Sequence, residues 1–346
     1  MKQTSRPATD TPAAPNGVSR SPKPLRVMIA GGGGLIGAHL AGALLARGEE
    51  VLVLSRRPRR VRQLLPGVAV LSWGLGQQSE RWREELEFCD ALVDLSGPSF
   101  FTPLIGEQYR RGVLEARRAV TSSLLAAIAG ARRRPRAFLS ASSLAAYGFR
   151  HADQALTERS APDNAPLSRA TVELEKLAAR AENEGTRVVS LRIATVLAPE
   201  GGLLCKLAHG FGTGAPAPIL PATQWFSWIH VEDAAGIALA ALQDERMRGP
   251  VNVSSPEPVT NLALTKALCR AQGVKQGAPI DAAQLARTLG KPALALTQGQ
   301  RVLPVAAHEH GYAFTHATLD GTVQEILSSP DERSARSPVP AISRRR

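Results

Sequence analysis

Three glycines spaced by three residues, Gly31, Gly34 and Gly37, lie in the run Gly31-Gly-Gly-Gly-Leu-Ile-Gly37. The apolar stretch Arg26-Val-Met-Ile-Ala30 precedes them, and Leu35 to Arg47 follows with the helical spacing of apolar residues until Gly48 stops it. The chemistry open to this arrangement is phosphate binding. The first glycine permits a tight turn, the second lets backbone approach a diphosphate, and the third lets the helix pack closely on the strand. Backbone N–H groups of the first helical turn, at Leu35 and Ile36, then face the phosphates together with the positive end of the helix dipole. A glycine triplet alone is common; a strand before it, a helix after it and a second strand at the expected interval give it meaning.

That second strand, Val51-Leu-Val-Leu54, ends in Ser55-Arg56-Arg57. A dinucleotide site for NAD usually places Asp or Glu at this point, to accept hydrogen bonds from the ribose 2′-hydroxyl, and the acid repels a 2′-phosphate. No acid occurs here. Two guanidinium groups, which bind phosphate in bidentate fashion, stand where a 2′-phosphate would lie, so NADP is favoured over NAD. The competing reading assigns Arg56 and Arg57 to a solvated basic run that continues through Arg59 and Arg60.

The elements that must position these residues follow in order. Further strands are expected at Val68–Leu71, Ala91–Leu95, Ala137–Ser140 and Val188–Arg192, with helices over about 106–131 and 168–183 between them. Short strands alternating with longer helices predict an α/β fold, a doubly wound parallel (Rossmann) sheet covered on both faces. Beyond Pro199 the order loosens. A Gly/Pro-rich segment (210–221) precedes Trp228-Ile-His-Val231, a helix from Asp233, a strand at Val251–Ser254, and helices near Asn261–Ala271 and Asp281–Leu289. This predicts a nucleotide-binding domain over 26–200 with a return segment at about 229–255. Residues 201–228 and 256–327 are expected to form a smaller C-terminal α+β substrate lobe. Residues 1–25, without periodicity or an apolar signal region, are expected to be a disordered leader, and 328–346 a disordered basic tail.

Several segments together resemble one family. Ala30–Gly37 resembles the glycine-rich opening of extended short-chain dehydrogenases/reductases, and Val93-Asp-Leu-Ser-Gly97, Phe138–Gly148 and Leu191–Pro199 are similar to later motifs of that group. Pro199-Glu-Gly-Gly-Leu-Leu204, Trp225–Asp233 and Gln300-Arg-Val-Leu-Pro304 with Gly311-Tyr-Ala-Phe314 resemble its epimerase-like subfamily, which carries a C-terminal extension. The resemblance spans residues 25–327 and implies cofactor contacts at Gly31, Gly34, Ile36 and Gly37. It further implies Ser55 and Arg56 at the adenosine ribose, Leu95, Ser96 and Gly97 along the cofactor, and Ser140 and Ser142 beside the nicotinamide. Ser142 or Ser143 matches the serine that orients a substrate carbonyl.

Members of the wider superfamily resemble one another in a Tyr-x-x-x-Lys pair that handles the hydroxyl proton while hydride moves to or from the nicotinamide. Four residues beyond the three tyrosines, Tyr109, Tyr147 and Tyr312, stand Val113, His151 and His316, so no such pair exists. The matching positions are Pro166 and Ala170. Arg169 beside them keeps its proton and is a poor acid. Tyr147, a few residues past the serines, is the remaining candidate donor, and Ser142 and Ser143 are candidate carbonyl ligands. Glu158 is expected to hold a loop, His230 to form a hinge before a helix capped by Asp233, and Trp225 and Trp228 to shape a lid or pack. The Gly-x-Gly-Arg often found before that aromatic segment is replaced by Leu220-Pro-Ala-Thr223.

Composition bounds the partners. The chain has 346 residues and a formal charge of +12, of which residues 1–25 and 331–346 carry +3 each. The rest gathers in runs such as Arg132-Arg-Arg-Pro-Arg136, with aromatics at only 4% and no RNA-recognition or zinc-finger signature, so no nucleic-acid partner is expected. Three separated cysteines, Cys89, Cys205 and Cys269, give neither a disulfide framework nor a metal site and point to a reducing, cytoplasmic setting. No apolar run approaches the roughly 18–20 residues of a membrane helix. The expected activity is NADP-dependent oxidation, reduction or epimerisation of a small carbonyl or hydroxyl compound by a monomer or homodimer. A catalytically quiet NADP-binding protein, with the cofactor as sensor or structural ligand, is the alternative.

Overall fold

The computed structural model describes residues 23–74, 81–97, 107–149, 153–208, 215–289 and 297–328. The expected leader up to residue 22, the tail beyond 328 and residues 210–214 of the Gly/Pro-rich segment lie outside these.

Seven parallel strands build the main sheet: β1 (Arg26–Ala30), β2 (Glu50–Ser55), β3 (Ala69–Ser72), β4 (Ala91–Asp94), β5 (Ala137–Ser143), β6 (Arg187–Ile193) and β7 (Gly249–Val253). Their order, β7-β6-β5-β4-β1-β2-β3, is parallel at every pairing. Strand order reverses between β1 and its neighbours β2 and β4, so the crevice for a ligand opens at the carboxyl ends of these strands. The near-continuous apolar runs of the strands follow from burial on both faces. Val27, Ile29, Val53, Val93, Leu139 and Val189 pack on one side, while Met28, Leu52, Leu92, Phe138 and Val188 pack on the other.

Helices α1 (Leu35–Ala46) and α4 (Val231–Gln243) cover the first face, contributing Leu40, Leu44, Ala235 and Ala238. Helix α2 (Glu107–Gly130) covers the second with Leu124 and Ile128, and α3 (Pro166–Ala178) lies beside it. A third core gathers Leu197, Leu204 and Trp228 with α5 (Asn261–Gln272) and α6 (Leu319–Leu327). Short pairings tie this region to the rest: Trp228–His230 runs parallel to Thr195–Ala198, and Arg301–Val302 runs parallel to Ala155–Leu156.

Two local expectations are corrected. Strand β5 continues through Ser143, because Ala141, Ser142 and Ser143 pair with Leu191, Arg192 and Ile193 of β6. Helix α4 is capped by His230, whose Nδ1 accepts the Glu232 N–H at 3.3 Å, and not by Asp233. Asp233 sits inside the helix, fully buried, where it anchors the distant 312–316 loop. It accepts Tyr312 Oη–H (2.8 Å), Thr315 N–H (2.9 Å) and His316 N–H (2.8 Å).

Replacing Asp233 by Ala leaves these donors without their acceptor, a cost of roughly 3 kcal/mol from buried unsatisfied groups. A lowered urea midpoint with unchanged m-value is the expected result.

Candidate functional site

The glycine turn leaves β1 at the switch point and enters α1 through backbone contacts that leave no room for side chains. Gly31 has φ +86°, and a Cβ there would stand 2.6 Å from the Leu95 carbonyl carbon and oxygen and 2.7 Å from the Ser96 nitrogen. Gly34 N–H donates to the Gly31 carbonyl (2.9 Å), and a Cβ on Gly37 would collide with that same carbonyl oxygen. Gly34 caps α1 without a side-chain hydrogen bond, and the first turn holds no acid, so no carboxylate competes there for the helix dipole. This is a turn in which backbone crosses backbone too closely to admit a Cβ at Gly31 or Gly37, next to the free N–H groups of a helix start, the shape a diphosphate needs. It brings Gly31 against Leu95 and Ser96, sequence positions some sixty residues apart.

At the end of β2 the Ser55 hydroxyl accepts the Arg57 N–H (3.0 Å), which sets the turn. Arg56 and Arg57 are exposed, with no ion pair to either among the described residues. At the end of β4 the buried Asp94 accepts Ser96 N–H (3.0 Å) and Ser96 Oγ–H (2.5 Å), which holds the Leu95-Ser96-Gly97 turn open toward the glycine loop. Burial raises the Asp94 carboxyl above its usual range despite the Ser96 hydrogen bonds and the nearby Arg117. Burial likewise lowers Arg117, and Asp94 opposes that shift. Arg117 reaches from α2 across Gly97 and donates to the Ala141 carbonyl (3.2 Å).

The carboxyl ends of β5 and β6 meet α2 and α3 around a polar cleft lined by Arg117, Ser140, Ser142, Ser143, Thr171 and Glu175. Ser142 Oγ–H donates to Glu175 Oε1 at 2.5 Å. Arg192 clamps that carboxylate from β6 in bidentate fashion, Nε at 2.9 Å and Nη2 at 2.7 Å. Burial alone would lower the Arg192 guanidinium, but Glu175 outweighs it and holds the group above its usual value. Ser143 Oγ accepts the Ala145 N–H (3.2 Å), capping the short turn Leu144–Tyr147. A second cleft shares Ser143 and opens between Phe149, Trp225, Phe226, Gln298 and Gln300. Trp225 is fixed by its Nε1–H to Asp153 (2.8 Å) and by the Arg301 guanidinium 4.8 Å above its ring. Trp228 is core, donating to the Glu257 carbonyl (2.9 Å).

Tyr147 does not join the serines. Its ring is wholly buried under the Arg192 guanidinium (4.8 Å), and its hydroxyl donates to Asn252 Oδ1 (2.8 Å) on β7. Burial raises the phenol above its ordinary range, with Arg192 partly opposing. Its hydroxyl is thus committed to Asn252, and Tyr147 is not among the residues lining the cleft. Glu158 is a loop holder, accepting the Asn252 N–H (2.9 Å) and the Ala306 N–H (3.2 Å). Pro166 and Arg169 are exposed at the start of α3.

The NAD dependent epimerase/dehydratase family profile matches residues 27–254, about two thirds of the chain and all of the sheet just described but Arg26. The chain belongs to that family. Residues 282–326 match a second profile, a domain of unknown function designated DUF1731. Among relatives, the epimerase family protein YfhF of Bacillus subtilis is 30% identical over 307 residues, covering 88% of this chain and 98% of its own. Human epimerase family protein SDR39U1 is also 30% identical, over 88% of this chain and all of its own. The crystal structure of human SDR39U1 (isoform 2) with NADPH superposes with a TM-score of 0.73 at 28% identity, over 87% of this chain and 99% of that one. UDP-glucuronic acid 4-epimerase of Bacillus cereus, solved with NAD, shares the fold at TM-score 0.68 and 17% identity.

Sequence reasoning passed over Glu175, Arg192, Arg117 and Asn252, the residues that orient or bury the candidate groups. Arg192 lies opposite Ser142 in the parallel register, and a strand alignment of Phe138–Ser143 on Val188–Ile193 would have paired them. The dispersed cysteines suggest no metal site, yet folding brings donor atoms of His230, Glu232 and His316 within 4.8 Å of one another. Among the described residues no helix is long and apolar enough to cross a membrane.

Tyr147→Phe strands the Asn252 carbonyl oxygen in the core. It should cost about 1–2 kcal/mol in chemical denaturation while leaving the cleft and any cofactor binding intact.

Proposed function

We propose that this chain is an NADP-dependent oxidoreductase or epimerase of the short-chain dehydrogenase/reductase type, acting on a small carbonyl or hydroxyl compound. The observation that carries this reading is the side-chain-free cradle at Gly31, Gly34 and Gly37, set beside two exposed guanidinium groups and a serine-lined cleft. The SDR39U1 structure with NADPH supports the same choice of coenzyme. The N–H groups of the first turn of α1 would hold the diphosphate of the coenzyme, and Arg56 and Arg57 its 2′-phosphate. Leu95, Ser96, Gly97 and Ser140 would line the path toward the nicotinamide, which when bound would supply or receive the hydride.

The proton belongs to Ser142. Its own proton already points to Glu175, so its oxygen has lone pairs free to accept from a substrate hydroxyl. As that proton arrives at Ser142 Oγ, the serine proton moves to Glu175 Oε1; Arg192 holds the carboxylate in place for the transfer. Carbonyl reduction runs the same exchange backwards, Glu175 first taking a proton from solvent water. Ser143, committed to its turn, shapes the junction of the two clefts. The substrate sits across that junction, its far side against Trp225 and Phe226.

A second reading, a cofactor-binding protein without turnover, is favoured by Pro166 and Ala170 at the Tyr/Lys positions and by the burial of Tyr147. NADPH oxidation followed over a panel of aldehydes and ketones separates the two. An active pair should lose about 10²–10³-fold in turnover with Ser142→Ala, the scale of general acid–base catalysis. Undiminished turnover in that variant removes Ser142 from the chemistry, and tight NADPH binding without consumption of any compound supports the second reading.

Coenzyme choice is tested separately. Arg56→Ala/Arg57→Ala should weaken NADPH binding roughly 10–100-fold, the worth of one or two charge-assisted phosphate contacts, and leave NADH affinity nearly unchanged.

A further inference from the structure

His316 lies between two carboxylates on two different helices. Its Nε2 is 3.1 Å from Glu232 Oε2 in the first turn of α4, and its Nδ1 is 3.2 Å from Glu325 Oε2 on α6. A neutral imidazole has one N–H and one lone pair, so it can satisfy one of these oxygens and must turn its lone pair to the other; only imidazolium donates to both. The ring lies 3.7 Å from that of His230, tilted by 39°. His230 is 2% exposed and caps α4 by accepting the Glu232 N–H at Nδ1, which requires a lone pair there. Two stacked imidazolium rings at this distance would repel. The geometry is therefore consistent with one assignment: His230 neutral below, His316 charged above.

We propose that the His316 imidazolium is a proton-dependent clasp joining α6, in the C-terminal DUF1731 segment, to α4 of the nucleotide-binding core. The charged groups facing it are Glu232 and Asp233 from α4, Glu325 from α6 and His230 at the α4 cap; His39 on α1, 3.8 Å from Glu200, lies beyond His230. Asp233 holds the 315–316 backbone independently through its N–H contacts, so loss of the proton loosens α6 without releasing the loop. Glu232, Glu325 and Asp233 outweigh burial and raise the His316 pKa, whereas burial and His316 push His230 down to about 3. For a raised histidine the sign is fixed: the contribution is complete below the unfolded value of about 6.5 and disappears as pH rises through the higher folded value.

The three donors are also close enough to tempt a metal ion, and the test separates the two. With ring-15N histidine in the full chain, both His316 nitrogens should show imidazolium shifts at pH 6.5, with a titration midpoint above 6.5, while His230 remains a single neutral tautomer. His310 pairs with Asp244, so stability is read as the difference between wild type and His316→Gln at each pH. That difference should be several degrees in Tm at pH 6 and shrink as pH rises, and Glu325→Gln should lower the His316 midpoint. A neutral His316 at pH 6.5, or a Tm difference independent of pH, overturns the proposal. So does a rise in Tm with stoichiometric Zn2+ that His316→Gln abolishes.

Discussion

The Gly31 carbonyl oxygen occupies the space a side chain at position 37 would need, and the Leu95 carbonyl occupies the space a side chain at position 31 would need. These two close approaches bring β1, the first turn of α1 and the end of β4 into one backbone-walled crevice. A Cβ at either glycine would collide with this backbone and force the turn apart. With no side-chain cap on α1, the N–H groups of its first turn remain available to an anion. The parallel sheet serves this geometry by fixing Ala30 between Leu54 and Asp94 in register, so the three chain ends that form the crevice emerge together.

Around that crevice the charged groups divide into two kinds. Arg56 and Arg57 are exposed and uncommitted to any ion pair among the described residues. Arg192 is buried and fully committed, clamping Glu175, which in turn receives Ser142 and leaves the serine oxygen as an acceptor. The same Arg192 covers Tyr147 and so helps keep the phenol in the core. A carboxylate on α3, in the third turn of the helix that starts at Pro166, is thus the polar group that meets the serine.

Much of the sheet was legible because strands buried on both faces read as unbroken apolar runs, and β1 and the helix at Asn261 fell where the pattern placed them. The last three residues of β5 were not, since Ala-Ser-Ser has no apolar pattern and is held by pairing with a strand fifty residues away. The glycine turn was readable from spacing, as the Gly34–Gly31 and Gly37–Gly31 approaches are local; its closure against Leu95 was not. Whether Tyr147 serves the cleft or the core was not legible, because its hydroxyl partner, Asn252, is 105 residues distant. Asp233 looked like a cap from its position at a helix start; His230 took that role and Asp233 turned to donors some eighty residues on. Local shape was visible in the sequence, and long-range polar pairing was not.

Everything proposed for this chain as an enzyme depends on the cradle accepting a pyridine nucleotide. Calorimetric titration of the purified full chain with NADPH and, separately, NADH measures this directly. The account predicts one site per chain, filled more tightly by NADPH than by NADH. An absence of binding heat with both coenzymes at millimolar concentration, or tighter binding of NADH, would contradict it.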